Sequence, residues 1–141
     1  KIQDFATKAN IRFFPTNVFE VETNGTLEPL HRFDSFVQYN VSPKLSNSGE
    51  QKHRRFKPEI LEMFHHSNSI FKFVVSSLAD IIEISNDFPN IQKKNVYLMP
   101  SGENQELLNQ TRKNVWSWCL DYGYRFSDRL HITTWNKKTG V

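Results

Sequence analysis

Cysteine is nearly missing from this chain, where Cys119 is the single thiol among 141 residues. One cysteine excludes an internal disulfide framework and any metal site built from several cysteines of this chain. It also suits a reducing compartment. Long apolar runs are missing too: none approaches the ~20 residues a membrane helix needs, and no stretch reads as a signal peptide. The expected location is cytoplasmic. Nor is there an excess of one charge, since 18 Lys and Arg against 15 Asp and Glu leave a net +3. That is too little to argue for nucleic acid by itself. The Asn-x-Ser/Thr triplets at Asn24, Asn40 and Asn109 read as chance without a secretory signal. With no repeats, low-complexity segments or long linkers, residues 1–141 read as one domain or part of one.

What is present in quantity is aromatic: 12 Phe, 4 Tyr and 3 Trp supply a substantial core. A chain of this length buries roughly two-thirds of its unfolded surface. It opens on Lys1, and Lys1–Asn10 reads as the tail of a helix already under way, with no cap before it. The expectation is a piece of a longer protein.

Beyond that tail the pattern alternates strand and helix. "NVFEVETNG", after Pro15, and "SFVQYNVSPK" read as strands, and "LSNSGEQKHRR" as a polar loop. "KPEILEMFHH" reads as a short helix with Pro58 in its first turn. "SIFKFVVS" is a third strand, followed by a helix that Ser77 opens, with Asp80 as capping-box partner. "NVYLMP" is a fourth strand. In "NQELLNQTRKNVWSWCLDYG", Leu108, Thr111, Val115, Trp118, Cys119 and Tyr122 repeat at helical spacing, and Gly123 stands at the C-terminal cap. The closing "YRFSDRLHITTWNKKTGV" reads as a last strand and a polar tail. Strands separated by helices or long crossovers point to an α/β fold with a mainly parallel sheet or an open barrel.

Such folds bind ligands at the carboxyl ends of their strands. Those ends carry Glu22, Thr23 and Asn24, then Ser42 and Lys44, Ser76 and Ser77, and Met99 to Gly102, with His131 in the closing segment. Taken singly, each has a plain structural reading. Asn24-Gly25 is a turn pair, Lys44 a solvated charge, and His131 a half-buried side chain among Leu130, Ile132 and Trp135. Taken together, carboxylate, amide, hydroxyl and ammonium groups at successive strand ends suit a polar, zwitterionic ligand. Nearby Phe, Tyr and Met supply flat walls for a purine or pterin ring.

The blocks "VETNGT", "NVSPKLSNSG", "FKFVV", "VYLMPSG" and "GYRFSDRLHITTWNKKTGV" occur in an order and spacing that resembles the C-terminal part of the 7-carboxy-7-deazaguanine synthase family. The resemblance implies the C-terminal part of a partial (β/α) radical S-adenosylmethionine (SAM) barrel, forming a homodimer. Such enzymes use a [4Fe-4S] cluster, reduced by a donor such as flavodoxin or ferredoxin, to cleave SAM. The resulting radical starts the Mg²⁺-assisted contraction of 6-carboxy-5,6,7,8-tetrahydropterin, with loss of ammonia, on the way to queuosine and related compounds. On this chain it implies that Glu22, Asn24, Ser42 and Lys44 contact SAM and that Met99 lies beside its adenine. It further implies that His131 bonds the pterin and that the tail to Val141 closes over substrate.

The chain departs from the family at one decisive place. The cluster motif of three closely spaced cysteines is missing, as are the glycine-rich motif and the N-terminal residues that grip substrate and Mg²⁺. Cys119, on an apolar helical stripe, reads as core. The 141 residues alone are therefore expected to be inactive, as a fragment, one half of a split enzyme, or a decayed copy. Two further classes remain. One is a non-catalytic half-barrel binding module. The other is nucleic-acid binding through Gln51–Lys57 and Asn136–Lys138, whose short basic runs read instead as solvated loops, so no direct nucleic-acid partner is expected.

Overall fold

The computed structural model describes residues 19–29 and 37–138. The expected helix tail Lys1–Asn10 and the end of the chain at Val141 lie outside the described residues. Among the described residues five strands, β1 (Phe19–Thr23), β2 (Val37–Val41), β3 (Ser69–Val75), β4 (Val96–Pro100) and β5 (Arg125–Phe126), form one sheet in sequence order. Every neighbouring pair is parallel, with Glu22 opposite Asn40, Asn40 opposite Ile70, Val74 opposite Met99 and Leu98 opposite Phe126. The expected α/β fold with a parallel sheet is thus observed. An open sheet in sequence order, with β1 and β5 at its edges, is consistent with a partial barrel.

Side chains alternate across a strand, so each strand sorts its residues onto two faces. In β3 the odd positions Ser69, Phe71, Phe73 and Val75 are buried and the even ones only partly so. The buried face continues through Tyr39 and Val41 of β2 and Val96 and Leu98 of β4. It is covered by the helices α2 (Pro58–His65), α3 (Leu78–Asp87) and α4 (Gln105–Tyr122). Tyr39 meets Phe64 of α2 edge-on at 5.2 Å between ring centres, and Phe73 meets Phe88 at 4.9 Å. Aromatic pairs of this geometry add about 0.5–1.5 kcal/mol to their area burial.

The helix boundaries follow their capping chemistry. Pro58 opens α2 at its first turn. Asp80 reaches back to the backbone N–H groups of Ser76 and Ser77 at 2.7 and 2.9 Å, starting α3. Asn104 Oδ1 accepts from Leu107 N at 2.9 Å, and Gly123, with φ +74°, ends α4 in a left-handed cap. Of the expected α4 stripe, Leu108, Val115 and Cys119 are buried and Tyr122 is exposed.

Two loops differ from the sequence reading. "LSNSGEQKHRR" contains a 3-10 turn at Ser46–Ser48 and a short helix α1 (Lys52–Arg55). The closing segment is a strand only at Arg125–Phe126, and "LHITTW" forms helix α5 (Leu130–Trp135), so His131 sits on a helix and not on a strand. Asp128 is the physical reason. Its carboxylate accepts from Arg129 N at 2.9 Å and Thr133 Oγ1 at 3.0 Å and pairs with Arg112 of α4. Together with the burial of Ile132, these bonds outweigh the extended preference of the β-branched run.

Candidate functional site

The face of the sheet that no described helix covers carries the even-numbered positions of β1 to β3 and the odd-numbered positions of β4 and β5, and there polar side chains stand among apolar ones. From β1 come Glu20 and Glu22, and from β2 come Gln38 and Asn40. Lys72 stands on β3, Tyr97 and Met99 on β4, and Arg125 on β5. These residues bond across the strands. Asn40, only 3% exposed, donates from Nδ2 to Glu22 Oε1 at 2.7 Å and reaches Glu20 Oε2 at 3.4 Å. Lys72 Nζ donates to the same Glu22 Oε1 at 3.3 Å. On the other side of the face, Arg125 donates to the Tyr97 hydroxyl at 2.9 Å.

At the carboxyl ends of β1 and β2 the chain opens two adjoining grooves. One, about 320 Å³, is lined by Glu22, Thr23, Asn24, Ser42 and Lys44. The other, about 260 Å³, is lined by Asn24, Thr26, Lys44, Glu50, Arg54 and Arg55. Four of the expected contact residues, Glu22, Asn24, Ser42 and Lys44, therefore face one concavity. Met99 lies on the same sheet face, two strands further along, and His131 is exposed on α5; neither lines these grooves.

The turn after β1 is locally determined. Asn24 Oδ1 accepts from Thr26 N at 3.1 Å and from Thr26 Oγ1 at 2.7 Å, the bonding of an Asx turn. Gly25 has φ +73°, and a Cβ there would lie 2.8 Å from Leu61 Cδ2 and 3.0 Å from Val41 Cγ1. The glycine thus admits both the left-handed turn and the close approach to the core.

The polar segment after β2 divides into two parts. Ser42 and Lys44 stay at the groove, whereas Ser46 and Asn47 bond inward. Ser46 donates from N and Oγ to Glu83 Oε2 of α3 at 3.0 and 2.5 Å, and Asn47 Nδ2 donates to the Val74 carbonyl at 2.9 Å. Arg55, 7% exposed, ties the loop down. It donates to the Glu50 and Lys44 carbonyls, each at 3.1 Å, and to Glu83 Oε1 at 2.7 Å. Burial alone would raise the Glu83 carboxyl, but the bonds from Ser46 and the Arg55 guanidinium outweigh it and hold the group below its ordinary value. These bonds hold the backbone on which Lys44 projects.

The donor set can be compared with the groups that the family resemblance implies. Glu22, Asn24, Ser42 and Lys44 offer a carboxylate, an amide, a hydroxyl and an ammonium, which fits a zwitterionic nucleoside such as SAM. An iron–sulfur cluster does not fit. It requires several thiolates, and Cys119 is the single cysteine, buried, with its thiol pushed by burial up to about 11. Among the described residues, no group of three or more His, Cys, Asp or Glu is placed to hold a metal ion.

Comparison with known proteins points the same way. The chain is 36% identical over 126 residues to a 7-carboxy-7-deazaguanine synthase of Pyrobaculum aerophilum, covering 86% of this chain and 54% of that protein. It is 31% identical over 140 residues to a 7-carboxy-7-deazaguanine synthase of Halobacterium salinarum, covering 82% of this chain and 53% of that protein. The chain is similar to 7-carboxy-7-deazaguanine synthases along most of its length. It spans about half the length of the curated relatives it matches. No family model and no solved structure matches it.

The strand-end reading passed over three side chains at or beside the grooves: Asn40 and Lys72, which bond Glu22, and Arg54, which lines the second groove. Lys72 had a visible signal, a charge in the middle of a largely apolar strand, and Asn40 a weaker one, in a strand that also carries Gln38. Arg54, in a run of basic residues, had none. The same run is less available to nucleic acid than its composition suggests, because Arg55 is buried and Lys52 is paired with Asp87 at 2.8 Å. Among the described residues no helix is long and apolar enough to cross a membrane.

Proposed function

We propose that this chain is the C-terminal part of a single radical-SAM domain of the 7-carboxy-7-deazaguanine synthase type. The observation that carries the proposal is the convergence of Glu22, Asn24, Ser42 and Lys44 on one groove at the carboxyl ends of adjacent parallel strands. In this reading Lys44 meets the carboxylate of SAM, and Asn24, Ser42 and Glu22 take its donors and acceptors. Met99 flanks the adenine, and His131 orients a pterin substrate. SAM, when bound, supplies the hydrogen-abstracting chemistry. The cluster that cleaves it, the Mg²⁺ site and the contact with an electron donor belong to residues other than those described here. The complete enzyme is read as a homodimer and a carbon–nitrogen lyase of the queuosine pathway, whose product goes on toward tRNA modification.

The test is complementation. With a separately expressed segment carrying three closely spaced cysteines, reconstituted anaerobically with iron and sulfide, the chain should convert 6-carboxytetrahydropterin to 7-carboxy-7-deazaguanine. Alone it should give no product, because Cys119 cannot hold a cluster. Failure of complementation while the chain still binds SAM by calorimetry would favour the second reading, a binding module. That reading draws on the single buried cysteine.

A further inference from the structure

Glu22 is held in an unusual way for a carboxylate that is 65% exposed. Both of its partners, Asn40 Nδ2 at 2.7 Å and Lys72 Nζ at 3.3 Å, bond the same oxygen, Oε1. Oε2 has no hydrogen bond among the described residues, yet Glu22 lines the groove with Asn24, Ser42 and Lys44. The donors come from two different strands, β2 and β3, so the orientation of Glu22 is set by sheet register and not by its own strand. Asn40 is nearly fully buried, its Nδ2 also reaches Glu20 Oε2 at 3.4 Å and its Oδ1 accepts from Gln38 Nε2 at 3.5 Å, which limits its rotation.

We infer that Asn40 and Lys72 are positioning residues that lock Glu22 by Oε1, leaving Oε2 as an acceptor for the ribose hydroxyls of the bound nucleoside. Charge favours hydroxyls over an ammonium at this point. Lys72 already pairs with the Glu22 carboxylate, so a second cation gains little there and is repelled by Nζ, although the Glu20 carboxylate, bonded to the same Asn40 Nδ2, adds negative charge nearby. A neutral hydroxyl donor meets no such repulsion, and a carboxylate oxygen that needs no reorientation accepts it at the least entropic cost. The inference rests on the proposed SAM site and adds to it two positioning residues.

The experiment uses the chain as it is, with adenosine and 2′,3′-dideoxyadenosine as probes in calorimetric or NMR titrations. Glu22→Gln should weaken adenosine but leave the dideoxy analogue unchanged. Lys72→Met and Asn40→Leu should each weaken adenosine about three- to tenfold, leave the analogue unchanged, and add little on top of Glu22→Gln. Lys72→Arg should restore most of the binding. Because Asn40 is buried and its variant could unfold, Lys72→Met carries the decision. Equal losses for both nucleosides, or losses that add to that of Glu22→Gln, would mean a structural role and overturn the inference. If Glu22→Gln alone discriminates the nucleosides, the positioning claim falls and the site reading stands. If the parent chain binds neither nucleoside, both fall together.

Discussion

Phe73 and Lys72 are neighbours on β3 but face opposite ways, Phe73 into a layer of helices with no exposure and Lys72 onto a face that no described helix covers. On the first side, stability comes from apolar area and close packing, and any residue of the right volume serves. On the second, side chains bond one another across three strands, and what they leave unsatisfied defines what could bind. The difference teaches where to look for function in a parallel sheet. Such sheets are normally covered on both faces, so a polar face with cross-strand bonds is the place to test for a ligand.

The sharpest way to break the comparison is to truncate on the covered face. Phe73→Ala should cost about 3–5 kcal/mol, read as a lower urea midpoint at unchanged slope. A loss below about 1 kcal/mol would mean that the two faces are not energetically distinct. Next comes the tie between the groove loop and α3. Arg55→Leu removes one member of a pair whose arginine side chain is only 6% exposed, and should cost about 3 kcal/mol. It should also loosen the backbone of Lys44, visible as faster amide exchange across 44–50.

The same tie makes a pH prediction. The Glu83 carboxyl is held below its ordinary value, so its stabilisation is fully present above the unfolded pKa. It is then lost as pH falls through the lowered folded one. Between pH 5 and pH 3 the denaturation midpoint should fall, and in Glu83→Gln the part due to this group should vanish. An unchanged acid dependence in the variant would remove Glu83 from the account.

Lys72→Met, on the uncovered face, should change stability by no more than about 1 kcal/mol. A larger loss would make this face part of the structural core. Smallest of all is the expected reactivity of Cys119. With its thiol pushed by burial up to about 11, roughly one part in a thousand is thiolate at pH 8. Iodoacetamide should therefore leave the native chain unlabelled while labelling it fully in urea, and rapid native labelling would contradict the packing of α4.

Local chemistry explains what was legible beforehand. The Ser77–Asp80 start of α3, Pro58 in α2 and Gly123 after α4 each bring their own hydrogen-bonding or backbone logic, which operates over three or four residues. The parallel sheet followed from strands separated by crossovers. The closing segment reads as a last strand and a polar tail, and the helix over "LHITTW" is not foreseen, because Asp128, which bonds into it, acts with Arg112, distant in sequence and near only in the fold. The inward bonding of Ser46 and Asn47 was hidden for the same reason: their partners Glu83 and Val74 come from later elements.

The sequence by itself therefore determined the class of fold, the order of its strands and longer helices, the family resemblance and the absence of any thiol set for a cluster. All of these rest on residue identity and short-range spacing. Only the tertiary structure decided which polar side chains at the strand ends are consumed internally and which remain free. It alone set two donors from neighbouring strands on one oxygen of Glu22, because parallel register brings together residues 18 and 50 positions apart, a separation that no local pattern encodes.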